Sequence, residues 1–321
     1  MDMTIPLFIA ESDVRELLTM DLAIEAVEDG FRRLAAGEAM NVPRRRARTS
    51  EVVLHTMSAG CSAYGLVGFK AYTTSRQGNR FHVVLYDGSS GAMVAVIEAD
   101  WLGRVRTGAA SGVATEYMAR PDATGVGIFG AGGQARTQLQ AMCAVRPITE
   151  ARVYSRDQER RERFARDMEP LCRISVVPVN RAEEAAADMD IIITATTLRE
   201  PVLKGEWLSE GTHINAMGSN ALNRAELDVD TIRRSDTIVA DSVEQCHIEA
   251  GDFVAALEQG VLHWSRVVEL ADVVAGRQTG RPTPDSITLF KSLGLAIEDL
   301  AVAARVLEMA RERHVGTTLP M

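Results

Sequence analysis

The sequence predicts an α/β fold: a Rossmann-type, doubly wound parallel sheet inserted in a smaller α+β domain. Three observations predict it. From about residue 115, strand-like and helix-like runs alternate, the rhythm of a parallel sheet with helices on both faces. Before that point several β-rich segments follow one another with short turns, as in an antiparallel or mixed sheet. Finally, GIFGAGGQARTQ, residues 127–138, sets a glycine turn between a strand and a helix.

In chain order, Ile24, Val27, Phe31 and Leu34 fall at steps of three and four, one face of a helix, and Gly37 is placed to end it. After Pro43 the periodicity changes. Arg44, Arg45, Arg46 and Arg48 form a short basic strand. EVVLHTM, LVGFKAYT, RFHVVLYD and GAMVAVIEA read as further strands, separated by SAG, SRQGN and DGSSG turns. The small residues of RVRTGAASGVAT suggest a closely packed helix. TGVGIFG, EARVYS, RISVVPV, DIIITAT, THINAMG, DTIVADS and ITLFKS are strands of the alternating region, with helices at GQARTQLQAMCAV and RDQERRERFARDM. LGLAIEDLAVAARVLEMARERHVG is a long apolar-faced helix that ends at Gly316 and is able to pack back on the first domain.

The totals narrow the function. With 321 residues there is length for two domains, and 46% hydrophobic with 25% charged residues is an ordinary globular mix. A net charge of −9 argues against nucleic acid or an anionic membrane as partner. No apolar run reaches the roughly eighteen residues of a membrane span, and the acidic N-terminal stretch lacks the basic region of a secretory signal. Cys61, Cys143, Cys172 and Cys246 have no ligand spacing and are expected as reduced thiols in a cytoplasmic protein. No metal site is expected.

Gly130, Gly132 and Ala135 form G-x-G-x-x-A, with Gly133 and Gln134 inside it. The small residues permit a tight turn and close approach of a pyrophosphate to a helix N-terminus. The acid that would hold an adenosine ribose diol belongs at the end of the next strand, where VYSRD offers Ser155 and Arg156 instead. That pair suits a 2′-phosphate, so NADP(H) is favoured; Asp157, slightly further on, keeps NAD(H) possible. Arg156 at the start of a solvated helix is the plainer alternative. Thr196, at the end of DIIITAT, is placed to line the dinucleotide or to be an ordinary strand-end residue.

Two charged residues in apolar surroundings are candidates for the substrate. Lys70 lies within LVGFKAYT, and a buried ammonium needs a partner or a role; the alternative is an edge strand with Lys70 in solvent. Arg106 precedes a run of small residues, and its fork suits a carboxylate, although an arginine there also serves as a surface or interface residue.

Taken together, GFK at 68–70, RTGAASGVAT at 106–115, GIFGAGGQA at 127–135, HINAMGSN at 213–220, DSVEQC at 241–246 and FKSLGLAIEDLA at 290–301 resemble the ornithine cyclodeaminase/μ-crystallin family over essentially the whole chain. The resemblance implies a homodimer. It implies a substrate and dimerisation domain of residues 1–117 with 303–321, and a Rossmann domain of 118–302. It matches Lys70 to the active-site lysine, Arg106 to a carboxylate-binding arginine and Arg45 to a second one, with Arg44 or Arg46 as alternatives. Asn220, in Gly218-Ser219-Asn220, stands where cyclodeaminases carry an aspartate, and an amide takes no proton at neutral pH. The resemblance therefore implies reduction of the imine of a 2-oxo acid to an amino acid. Lys70 and Asn220 would work at the reacting centre, with the nicotinamide over the cleft. Deaminating cyclisation of ornithine or another diamino acid is the alternative, and a non-catalytic NADPH-binding protein a second one.

Overall fold

The computed structural model describes residues 5–320. They form two compact units: unit 1 runs to Thr107 and resumes at Gly294, and unit 2 is Gly108–Leu293. The divisions thus fall at 107 and 293, where the sequence suggested 117 and 302.

Unit 1 begins with β1 (Leu7–Ile9), α1 (Glu11–Leu17) and α2 (Met20–Ala35). The Thr19 hydroxyl accepts from the Leu22 N–H at 3.3 Å and starts α2. Ile24, Val27 and Phe31 are buried on one stripe, as their spacing required, and Leu34 is half-buried. Next come four ten-residue strands, β2 (Ala39–Arg48), β3 (Val52–Cys61), β4 (Leu66–Ser75) and β5 (Gly78–Asp87), then β6 (Met93–Glu98). The basic segment is β2, at one edge of the sheet. α3 (Asp100–Met118) opens in this unit.

Unit 2 is built from β7 (Gly125–Phe129), α4 (Gly133–Val145), β8 (Glu150–Tyr154), α5 (Gln158–Cys172), β9 (Ser175–Pro178), α6 (Ala182–Ala186) and β10 (Ile191–Thr194), followed by β11 (His213–Ala216), α7 (Val229–Arg234), β12 (Thr237–Ala240), α8 (Val243–Glu249), α9 (Gly251–Glu258), β13 (Val267–Glu269), α10 (Leu270–Val274) and β14 (Thr288–Lys291). Its eight strands pair in the order β13-β12-β14-β11-β10-β7-β8-β9, all parallel. Phe129, Ile192, Ile214 and Leu289 from adjacent strands share one core with Ala185, Cys246 and Phe253 from the helices. The central strands β7, β10, β11, β12 and β14 are buried along their whole length, which is why β7, β10 and β12 read as continuous apolar runs rather than alternating ones.

The chain then returns to unit 1 as α11 (Ala296–Glu312) and β15 (Thr317–Thr318). The helix stops four residues before Gly316, with Arg313 as its cap. β15 pairs with β1 and completes a seven-stranded mixed sheet, β15-β1-β6-β5-β4-β3-β2. α11 packs on α2 and on strands β2 to β5. Its buried Leu300, Val302, Val306 and Leu307 are each worth about 1.5–3 kcal/mol when removed from water. The sheet therefore depends on a helix contributed from beyond unit 2.

Candidate active site

In unit 1, Lys70 sits in the middle of β4, opposite Met57 of β3 and Val83 of β5. Met57 and Val83 are buried, and Lys70 is only 3% exposed. This row faces α11, which supplies what the strands lack. Asp299 Oδ1 is 2.7 Å from Lys70 Nζ and accepts from Arg106 Nε at 3.1 Å; Arg106 Nη1 donates to Glu298 at 2.7 Å. Asp299 Oδ2 is buried with no hydrogen-bond partner among the described residues. Arg44 is buried beside them and donates to the Gly294 carbonyl at 3.1 Å. A buried cluster of three cations and two carboxylates results.

Its electrostatics follow from burial and pairing. Burial pushes the Lys70 ammonium down to about 8, Asp299 opposes that, and Arg106 and Arg44 add to it. Burial also works against the charge on Arg106, but Asp299 and Glu298 outweigh it and hold the guanidinium protonated. A lysine near 8 titrates close to neutrality, where a proton donor is useful.

The structure thus joins two sequence-marked residues, Lys70 and Arg106, in one cluster. Arg45, the preferred second arginine, is exposed; the strand's register turns Arg44 inward instead. A bulge between Val42 and Arg45 shifts the alternation of β2 there, and of the arginines the resemblance left open it is Arg44 that is buried. Glu298 and Asp299 were missed. The available signal was two acids inside the apolar run GLAIEDLAVAA, the same logic that marked Lys70. Beyond Lys70, Tyr72 stacks between His55 and Phe81 across three strands, with ring centroids 4.2 and 5.0 Å apart, and Lys70 Nζ lies 5.6 Å from the Phe81 centroid. A separate groove of about 1700 Å³ in this unit, bordered by Asp29, Tyr64, Met93 and Leu307, contains none of the cluster.

In unit 2, the glycine turn joins β7 to α4. Gly130 has φ +110°, and a side chain there would collide with the Ala195 carbonyl. Gly132 is the N-cap of α4 and offers no capping side chain, there is no acid in the first turn, and a Cβ at Gly132 would meet nothing within 4 Å. Gln134 Oε1 is buried without a hydrogen-bond partner among the described residues, and Ala135 is fully buried. Free N–H groups, open space and absence of negative charge fit a dinucleotide pyrophosphate. After β8, Ser155 is half-buried and its carbonyl accepts from Arg161 at 2.9 Å, while Arg156 is exposed. Asp157 is spent as the N-cap of α5, accepting from the Arg160 N–H at 3.1 Å. β10 ends at Thr194, so Thr196 lies in the loop beyond it, and its N–H donates to Glu226 at 2.6 Å. Asn220 is half-buried in the loop after β11. Among the described residues no three His, Cys, Asp or Glu side chains gather as metal ligands.

A glycine turn in a parallel sheet, with a buried lysine–arginine–carboxylate cluster elsewhere on the chain, defines a nicotinamide-dinucleotide-dependent oxidoreductase. Residues 5–314 match the model of the ornithine cyclodeaminase/mu-crystallin family. The structure is similar to Thermococcus litoralis Δ1-pyrroline-2-carboxylate reductase in complex with NADH and L-proline, with TM-score 0.94 and 39% identity over 98% of this chain and 100% of that one. It is similar to an archaeal alanine dehydrogenase dimer with bound NAD, with TM-score 0.90 and 34% identity over 98% and 99%. The iminosuccinate reductase of Paracoccus denitrificans in complex with NAD+ gives TM-score 0.93 and 28% identity over 99% and 100%. The chain belongs to the ornithine cyclodeaminase/mu-crystallin family.

Proposed function

We propose that the protein reduces the imine of a 2-oxo acid to the corresponding amino acid. The observation that carries the reading is Lys70, held near 8 in a buried cluster with Arg44, Arg106 and Asp299. Arg106 and Arg44 bind the substrate carboxylate, the charge and shape for which a guanidinium fork is suited. Lys70 Nζ delivers a proton to the imine nitrogen, and Asp299 keeps that ammonium charged and aimed. The nicotinamide, when bound, supplies the hydride to the imine carbon. A neighbouring positive cluster also polarises the imine, and exclusion of water strengthens each of these interactions. Relatives that reduce Δ1-pyrroline-2-carboxylate or iminosuccinate share this fold along their full length, which supports imine reduction. Deaminating cyclisation is disfavoured by Asn220, an amide where that chemistry uses a carboxylate.

For the cofactor we favour NADP(H), with NAD(H) as the alternative. Ser155 and Arg156 are the residues at the ribose position, and Asp157 is already engaged as a helix cap. Several relatives hold NADH or NAD. A homodimer is proposed by likeness to the alanine dehydrogenase dimer, and a cytoplasmic location accords with four free thiols. No helix among the described residues is long and apolar enough to cross a membrane.

The test is nicotinamide absorbance with purified protein, both cofactors, and a panel of cyclic imino acids, 2-oxo acids with ammonia or methylamine, and L-ornithine. Stoichiometric oxidation of NADPH or NADH with an imine is expected, and Lys70→Ala should lower kcat/KM by roughly 10²–10⁴. Ammonia release from ornithine without net change in absorbance would replace this reading by the cyclodeaminase one.

A further inference from the structure

Three neighbouring strands of unit 2, β10, β11 and β14, end side by side, and a set of buried charges joins their ends. Glu226 is wholly buried and accepts three hydrogen bonds: from the Thr194 hydroxyl at 2.9 Å, the Thr196 N–H at 2.6 Å and the Gly218 N–H at 2.7 Å. The first two come from β10 and its loop, the third from the loop after β11. Asp252, on α9, accepts from the N–H groups of Glu226 and Leu227 at 2.5 and 3.2 Å. Lys291, the last residue of β14, places Nζ 2.7 Å from Asp252 Oδ2 and donates to the Ser219 carbonyl at 2.8 Å. Both side chains of that ion pair are 0% exposed. Burial and Asp252 push the Glu226 carboxyl up; burial works against the Lys291 charge, but Asp252 and Glu226 keep it high.

Packing alone does not account for these charges. A buried ion pair gives no more stability than apolar residues of the same volume. It does fix backbone geometry in a way apolar residues do not. Gly218 is held so tightly that a Cβ would fall against Glu226 Oε1 and the Thr196 backbone. The two loops are therefore stapled to one another by a single carboxylate. Their place in the sheet gives that staple a purpose. The glycine turn follows β7, and Ser155 and Arg156 follow β8, on the other side of it. A dinucleotide whose adenosine half lies over β8 and whose pyrophosphate lies at the turn extends its second half over β10 and β11.

We infer that Glu226 is a positioning residue for the nicotinamide half of the cofactor, acting through the loops that carry Thr196 and Asn220. The inference rests on the dinucleotide reading of the glycine turn and assigns Glu226 no direct contact with cofactor or substrate.

The experiment compares a whole dinucleotide with the same molecule lacking nicotinamide. Dissociation constants are measured for NADH and ADP-ribose, and for NADPH and 2′-phospho-ADP-ribose, with wild type and Glu226→Gln; thermal unfolding is recorded alongside. The amide turns one acceptor into a donor that faces another donor. The expected result is that the dinucleotide binds roughly tenfold or more weakly, while the nicotinamide-free ligand binds as in wild type. Equal weakening of both ligands, or no change in either, overturns the proposal and leaves Glu226 a general support of the fold. Should Glu226→Gln fail to fold, Gly218→Ala wedges the same staple from the loop side and is judged by the same two ligands. If wild type binds none of the four ligands, the cofactor reading fails instead.

Discussion

In the proposed reduction, proton delivery by Lys70 turns on its ion pair with Asp299, and Asp299→Asn isolates that dependence. The substitution keeps the shape of the side chain and removes one buried negative charge. In wild type, burial has already brought Lys70 down to about 8, and Asp299 is the largest influence in the opposite direction. A charge-assisted contact in a buried site is worth about 1.5–3 kcal/mol, and each pKa unit corresponds to about 1.36 kcal/mol. Lys70 should therefore fall by roughly one to two further units, to about 6–7. At pH near 7.5 the wild-type ammonium is mostly protonated, whereas that of the variant is mostly neutral. In the reductive direction, the upper limb of the kcat/KM profile should move from about 8 to about 6–7, with activity better preserved on the acid side. The assay is initial rate of NAD(P)H oxidation against pH, with the best imine from the substrate panel. Taking one partner from a buried ion cluster typically costs about 3–5 kcal/mol, so thermal unfolding must show that the variant is folded throughout the range. A folded Asp299→Asn protein whose upper limb stays near 8 would refute the reasoning, because the titrating group would then not be a Lys70 held by Asp299.

If the exposed Arg156 guanidinium meets a 2′-phosphate, as proposed, Arg156→Ala should weaken NADPH by tenfold or so while leaving NADH nearly unchanged; equal effects on both, measured by fluorescence titration, would remove the argument for NADP(H). His213, fully buried in β11, is pushed down to about 3 by burial and then by Arg281 and Arg146, so the folded protein holds it neutral. The unfolded chain binds its proton below about 6.5, and folding stability attributable to this group falls as pH drops from there, by about 2 kcal/mol at pH 5. His213→Asn should be less stable than wild type near pH 7 yet lose less between pH 7 and 5; denaturant unfolding at the two pH values that shows the same loss in both proteins would exclude His213 as the acid-sensitive group.

Most of unit 2 was legible because its signals are local. GQARTQLQAMCAV corresponds to α4 residue for residue, and each predicted parallel strand is present within one or two residues. The glycine turn needed only neighbouring residues to be read. What escaped notice depends on distance in the chain. β1 and β15 are two or three residues long and exist by pairing with each other and with β6, which no local pattern announces. Glu298 and Asp299 meet Arg106 from 192 and 193 residues away. Glu226 gave no local sign, because two of its three donors are backbone N–H groups, which no residue type announces. Which of Arg44 and Arg45 is buried follows from a bulge in β2, a local irregularity that the resemblance does not reveal.

α11 has a consequence for how the protein comes into being. Ribosomes deliver chains in order, and domains assemble as they emerge. The parallel-sheet unit is one uninterrupted segment and has all its strands once residue 293 has been made. The other unit waits: Lys70 is 229 residues ahead of its counter-ion. Until α11 arrives, the β2–β5 meander has an open apolar face, and Lys70 of β4 and Arg106 of α3 lack their carboxylates. Nascent chains of this protein should therefore need shielding of that face through most of synthesis, and a protease that clips within α11 would separate Lys70 and Arg106 from the helix that carries their counter-ions.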